Sequence, residues 1–365
     1  MFPLNTWYVA ATAGDVADKP FGRKICGRQM VFFRGADGQV AALEDWCPHR
    51  GAPLSLGRVV DGRLVCGYHG LQMGCDGRTV AMPGQRVRGF APIAAYPVVE
   101  RHGFIWVWPG DAALADPSLL PDLFWADNPE WAYGGGLYHI GCDYRLMVDN
   151  LMDLTHETYV HADSIGQAEI DEIAPVTKVE GDQVITSRYM HDIPAPPFWR
   201  MALRSNGLAD DVPVDRWQVC HFTPPSHVMI EVGVAHAGHG GIDAPADKKA
   251  GSIVVDFITP ETEHSIWYFW GMARNFKPHD AALTASIREG QGKIFAEDLQ
   301  MLEQQQRNHL LHPTRKLLGL NTDAGGVQAR RIIDRLLAAE QALAAAAPAA
   351  ALGAAAAAPA AAARP

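Results

Sequence analysis

Cys47, His49, Cys66 and His69 stand in the order Cys-x-His, sixteen intervening residues, Cys-x-x-His. Thiolates and imidazoles alternating on two short loops are the donor set of a Rieske-type [2Fe–2S] centre. Both cysteines hold one iron and both histidines the other, which raises the reduction potential above that of an all-cysteine cluster. The loops read WCPHRGAPLSLG and CGYHGLQMGCDG, with Gly51, Gly67 and Gly70 beside the ligands, where backbone N–H groups can approach the cluster sulfurs. The same four residues could hold a structural zinc, or the cysteines could be buried thiols with no ligand role. Zinc ligands come more often as a Cys pair followed by a His pair, so the spacing favours the cluster.

A second constellation lies in DNLMDLTHETYVH, residues 149–161. On one continuous helix, Asp149, Asp153 and His156 would share about a 60° arc. His161, five residues beyond His156, would point away, so both imidazoles reach one metal only if the helix ends or bends before His161. Two histidines and a distant carboxylate form the facial triad of non-haem Fe(II) oxygenases, which leaves positions open for O2. The carboxylate is sought in KIFAEDLQMLEQQQ, where Ile294, Phe295, Met301 and Leu302 make an apolar stripe. Asp298 projects from that stripe and Glu297 falls to its edge. A carboxylate facing a core is costly unless it is paired or binds a metal, so Asp298 is the expected third ligand, with a buried salt bridge to an arginine as the alternative.

The elements that must position these residues follow from pattern. Residues 1–110 alternate short apolar runs with Gly-rich turns, as in MVFFRGADGQVAALED, and place both ligand loops at strand ends. The Pro-containing stretch 110–122 reads as a connection. Segment 143–161 is rich in helix formers, strand-like runs follow, and helices are expected over about 280–311 and 324–341. At 365 residues the chain can hold two domains, each with its own core. Net charge is −10, which gives a nucleic-acid partner no electrostatic support. The N-terminus has no export signal, and no run is apolar enough for a membrane span. Six cysteines in so large a chain fit reduced thiols in the cytoplasm. The Ala-rich stretch 342–365, broken by Pro348, Gly353 and Pro359, reads as a disordered tail.

The two motifs together, in this order, resemble the Rieske non-haem iron aromatic-ring oxygenases over about residues 1–340. Within that family the chain is most similar to the branch that O-demethylates vanillate, on the strength of NTWYVA, WCPHRGAPLSLG, CGYHGLQMGCDGRTVAMPGQRV, NLMDLTHETYVH, APPFWR, ITPET and NTDAGGVQARR. The resemblance implies an α+β chain. An N-terminal all-β Rieske [2Fe–2S] domain (1–112) would precede a helix-flanked antiparallel β-sheet catalytic domain holding mononuclear Fe(II) (113–341). It further implies a cytoplasmic head-to-tail homotrimer in which the cluster of one subunit faces the iron of the next. Asp153 matches the family's bridging aspartate, between His69 of one subunit and His156 of another, and Asn150 matches an asparagine near the iron. A flavin/iron–sulfur reductase would pass NADH electrons to the cluster. With O2, the methoxy carbon of a methoxylated aromatic acid would be hydroxylated, taking vanillate to protocatechuate and formaldehyde. Other methoxy- or methyl-aromatic acids, dicamba- or toluenesulfonate-like, are alternative substrates, and an electron-carrying Rieske protein is an alternative class. Stretch 217–260 is the expected pocket wall. Met229 and Asp256 are the residues matched to substrate contacts of dicamba-type relatives, and Asp256 is either an acceptor for a phenolic hydroxyl or a strand-edge charge.

Overall fold

The computed structural model describes residues 1–346 apart from residue 163. Its N-terminal part is built of three small antiparallel sheets. One orders β2 (Phe21–Ile25), β3 (Arg28–Arg34), β4 (Val40–Glu44) and β9 (Ala95–Tyr96). A second sets β11 (Phe104–Val107) between β1 (Tyr8–Thr12) and β10 (Val98–Arg101). The third orders β5 (Arg58–Val60), β6 (Arg63–Val65), β7 (Gln72–Met73) and β8 (Thr79–Ala81).

The second part is a seven-stranded antiparallel sheet. Its strands are β12 (Ala132–Ile140), β13 (Val176–Glu180), β14 (Gln183–Ile193), β15 (Val214–Thr223), β16 (His227–His236), β17 (Lys249–Thr262) and β18 (Ser265–Arg274), in the order β12-β18-β17-β16-β15-β14-β13. Helices α1 (Tyr144–Leu151), α2 (Glu157–Val160), α3 (Glu169–Glu172), α4 (Pro197–Ser205), α5 (Ala281–Leu311) and α6 (Ala324–Ala346) complete it. The mixed α+β architecture is as expected.

Side-chain alternation gives the sheet two buried faces. On β17, Val254 and Ile258 join the helices' core, whereas Val255 and Phe257 pack with Trp7, Val9, Phe104 and Trp106 of the N-terminal part. Each part has a core of its own, and this third cluster joins them across the sheet. Polar bonds cross the same seam: Thr259 Oγ1 donates to the Val9 carbonyl at 2.7 Å, and Trp267 Nε1 to that of Lys24 at 3.0 Å.

Helix α5 spans its expected range and starts where Asp280 accepts from the Leu283 N–H at 2.9 Å. Gly292 sits in it where a Cβ would come within 3.0 Å of Trp270, so the helix can lie close on the sheet. Of its expected stripe, Ile294, Phe295 and Leu302 are buried but Met301 is exposed, because it falls just beyond the margin. Helix α6 runs to Ala346, five residues into the stretch read as tail, since alanine is the strongest helix former. Residues 347–365 of that stretch lie outside the described residues.

The larger departure is at 152–156. The Asp153 carboxylate accepts from both the N–H (2.8 Å) and the Oγ1 (2.6 Å) of Thr155. This local turn competes with the helical ladder, so α1 ends at Leu151 and a new turn starts at His156. The arc argument for Asp149 fails with it: Asp149 turns to Arg330 on α6, whose Nε donates to it at 2.8 Å.

Candidate metal centres

The first centre is built on two loops with one hydrogen-bond pattern. Cys47 N–H donates to the Ala52 carbonyl and Gly51 N–H to that of Cys47; Cys66 and Gly70 repeat this with Leu71 and Cys66. Gly51 and Gly70 both turn through positive φ, +69° and +75°, which closes each loop tightly enough to aim its ligands inward. Cys47 and Cys66 are buried, while His49 and His69 are exposed with ring centroids 4.5 Å apart. Burial pushes the Cys47 thiol up, and backbone N–H groups of His49 and Arg50 donating to its sulfur act against that. Such donors stabilise thiolate sulfur, so the four side chains and their loops fit a [2Fe–2S] cluster with its histidine-held iron outward.

The second centre forms across the α1–α2 break and α5. Donor atoms of His156, His161 and Asp298 lie within 4.8 Å of one another. Asp298 Oδ1 is 3.5 Å from His156 Nε2 and its Oδ2 is 3.3 Å from His161 Nε2. The other ring nitrogens are occupied: His156 Nδ1 donates to the Asp153 carbonyl and His161 Nδ1 to Glu297 Oε2, both at 2.6 Å. Each imidazole thus points its Nε2 at the carboxylate, and in the neutral ring that nitrogen carries the lone pair a metal needs. For His161, burial disfavours the charged ring, but hydrogen bonds and charges of Asp298 and Glu297 outweigh it and raise its pKa. Asp298 is buried, and among the described residues its ion-pair partners are these histidines, not an arginine. Asn150 Nδ2 donates to Asp298 Oδ1 at 3.0 Å and holds the carboxylate's rotamer. Two imidazoles and one carboxylate on one side of an open space fit a mononuclear iron.

Beside this triad lies a pocket with largely apolar walls, including Leu154, Phe198, Trp199, Ile230, Val254 and Phe295. Stretch 217–260 supplies part of the wall, through Gln218, Ile230, Val232 and Val254. Met229 is not in it, since alternation on β16 turns Met229 to the opposite face, against the shared core. Asp256 is neither a wall residue nor a strand-edge charge. It is fully buried beneath the pocket side of β17, accepts from Tyr268 Oη at 2.6 Å, and is pushed up to about 8 by burial, helped by the charge of Asp298 and opposed by the Tyr268 bond.

Sequence reasoning passed over Glu297, Glu157, Arg216 and Gln218. Arg216, Gln218 and Cys220 alternate along β15 on the face of the buried Val214 and Phe222, and that polar-inward pattern was the available signal. Asp153 stands beside the triad, yet its link to His156 runs through the main-chain carbonyl, because its carboxylate is engaged by Thr155.

A cluster site and an open-sided iron site on one chain are the two working parts of a Rieske non-haem iron oxygenase. Comparison with known proteins agrees. The family model of the vanillate O-demethylase oxygenase C-terminal domain matches residues 140–339, and that of the Rieske [2Fe–2S] domain matches 6–97. The vanillate O-demethylase oxygenase subunit of Pseudomonas sp. (strain HR199 / DSM 7063) is 74% identical over 344 residues, 94% of this chain and 97% of that protein. The oxygenase component of dicamba O-demethylase from Stenotrophomonas maltophilia is 36% identical, covering 93% and 99%. A crystal structure of dicamba monooxygenase with non-haem iron and dicamba superposes with a TM-score of 0.81 at 33% identity, covering 93% of this chain and 99% of that one. The chain belongs to the vanillate O-demethylase oxygenase family of Rieske non-haem iron monooxygenases. No helix among the described residues is long and apolar enough to cross a membrane.

Proposed function

We propose that the chain O-demethylates a methoxylated aromatic acid, vanillate, to protocatechuate and formaldehyde. The observation that carries this reading is the His156–His161–Asp298 triad opening onto an apolar pocket that holds a buried cation, Arg216. Cys47, His49, Cys66 and His69 would hold the cluster, and His156, His161 and Asp298 the iron. When bound, the cluster supplies single electrons and the iron activates O2 at its open positions. The protein's own part is positional. Glu297, Asn150 and the Asp153 carbonyl fix the three donors, and the apolar walls exclude water and lay the ring against them.

The chemistry balances as a monooxygenation. A methoxy C–H bond is replaced by C–O from one oxygen atom. The other atom leaves as water, taking two electrons from NADH, passed by a flavin/iron–sulfur reductase, and two protons, one from NADH and one from solvent. The resulting hemiacetal breaks its C–O bond to release formaldehyde and the phenol. Asp153 relays between His69 of one subunit and His156 of the next in a homotrimer. Exposed Trp46, Leu56 and Tyr68 around the cluster loops, and Tyr159 near the iron site, support a surface covered by a neighbouring subunit. The cysteines are unpaired, which supports a reducing, cytoplasmic setting.

The test is product analysis with vanillate, NADH, O2 and a reductase of this class. Protocatechuate and formaldehyde in equal amounts are expected. Release of formaldehyde only from veratrate or isovanillate, or oxidation only of toluenesulfonate, would move the chain to another substrate of the same reaction class.

A further inference from the structure

The pocket contains a guanidinium, that of Arg216, whose charge is paired with Glu157 but whose Nε donor is unmet. Arg216 on β15 is 4% exposed, and its Nε–H is buried with no partner among the described residues. Its NH1 donates to Gln167 Oε1 at 2.7 Å and its NH2 reaches Glu157 Oε2 only at 3.4 Å. Glu157, which also lines the pocket, is held in turn by Gln218 Nε2, so both its oxygens are engaged and Nε is the guanidinium nitrogen left unmet. The nearby Arg188 is not available for the same task, since its Nε and NH1 are taken by the Ile173 and Leu154 carbonyls at 2.8 and 2.7 Å.

A buried arginine donor without an acceptor costs free energy that a bound carboxylate recovers, because a charge-assisted bond in a desolvated pocket is stronger than one in water. The other orphan on this face, Gln218 Oε1, is an acceptor and suits a hydroxyl, so the two positions are not interchangeable. We propose that Arg216 is the specificity residue that takes the carboxylate of the aromatic acid, with Glu157 and Gln167 as its positioning residues. This rests on the reading of the pocket as the substrate site and names the group that selects acids over neutral rings.

Binding is measured without turnover, by calorimetry and by quenching of intrinsic tryptophan fluorescence, on the cofactor-loaded protein under anaerobic conditions. The probes are vanillate, 3-methoxybenzoate and their amides. The wild-type protein is expected to bind each acid about 10- to 100-fold more tightly than its amide. Arg216→Gln alone leaves Glu157 buried and unpaired and can fail to fold, so the informative variant is Arg216→Gln with Glu157→Gln. It should lose most of the preference for acids while its affinity for amides changes less than about threefold. Equal wild-type affinity for acid and amide overturns the assignment with no variant needed, as does an equal loss of both in the double variant. Because 3-methoxybenzoate lacks the phenol and no product is read, a carboxylate preference without protocatechuate formation would refute the substrate but keep Arg216. Protocatechuate formation without the preference would do the reverse.

Discussion

Glu297 offers a test of how the iron site is held. Its Oε2 lies 2.6 Å from His161 Nδ1 and 3.1 Å from Ser164 Oγ, and its side chain is 35% exposed against 3% for the ring it orients. The carboxylate accepts the Nδ1 proton and so keeps Nε2 as the lone pair facing Asp298. Loss of such an outer partner typically weakens metal binding 10- to 100-fold, about 1.4 to 2.7 kcal/mol. Partial exposure places Glu297→Gln near the lower figure, since the amide oxygen can still accept from Nδ1. Glu297→Ala, which leaves the ring free to change tautomer, should lie near the upper one. Iron(II) affinity is measured by competition with a chelator. The visible absorption of the cluster serves as an internal control that should not change. If Glu297→Ala retained iron within twofold of wild type, the ring would be oriented by packing and the proposed role for Glu297 would fail.

Three further outcomes are expected. Asp153→Asn keeps an Oδ1 acceptor for Thr155 and the carbonyl on His156 but replaces Oδ2, the oxygen left to meet His69 of the next subunit, so both metals should stay bound while demethylation slows at least about tenfold; near-normal turnover would remove Asp153 from the relay. Gly51→Ala places a Cβ 2.5 Å from the Trp46 ring at φ +69°, so the cluster should be lost faster on dilution than in Gly27→Ala, where φ is +77° but no atom lies within 4 Å; equal rates would show that the loop yields freely. Asp256, raised to about 8 by burial against an unfolded value of about 3.9, is protonated in the folded protein over that interval. Its contribution is therefore fully present below about pH 4 and is lost as pH rises toward 8. Asp256→Asn should gain stability relative to wild type by roughly 3 kcal/mol between pH 5 and 8, read from denaturant midpoints, and a pH-independent difference would show that the carboxyl ionises freely.

Read alone, the chain already contained what depends on residue type and local spacing. Cys47, His49, Cys66 and His69 were legible because each ligand pair lies within one short loop, where spacing nearly dictates geometry. Asp298 was legible because helix periodicity places it among Ile294, Phe295 and Leu302, and a carboxylate there needs a reason. His156 and His161 could be paired only on condition that the helix broke, and the break comes from a single Asp153–Thr155 turn whose preference over the helix is a matter of small energies. Substrate contacts were out of reach for a different reason. Met229 and Asp256 were chosen by position along the chain, but which face of β16 and β17 meets the pocket depends on the register of a sheet shared with the N-terminal part. That long-range pairing turned Met229 away, sealed Asp256 beneath the floor and brought Arg216 to the same cavity as the triad, while packing of α5 against the 152–161 segment brought Glu297 to His161. Local chemistry named the candidate ligands; tertiary packing decided what else stands around them.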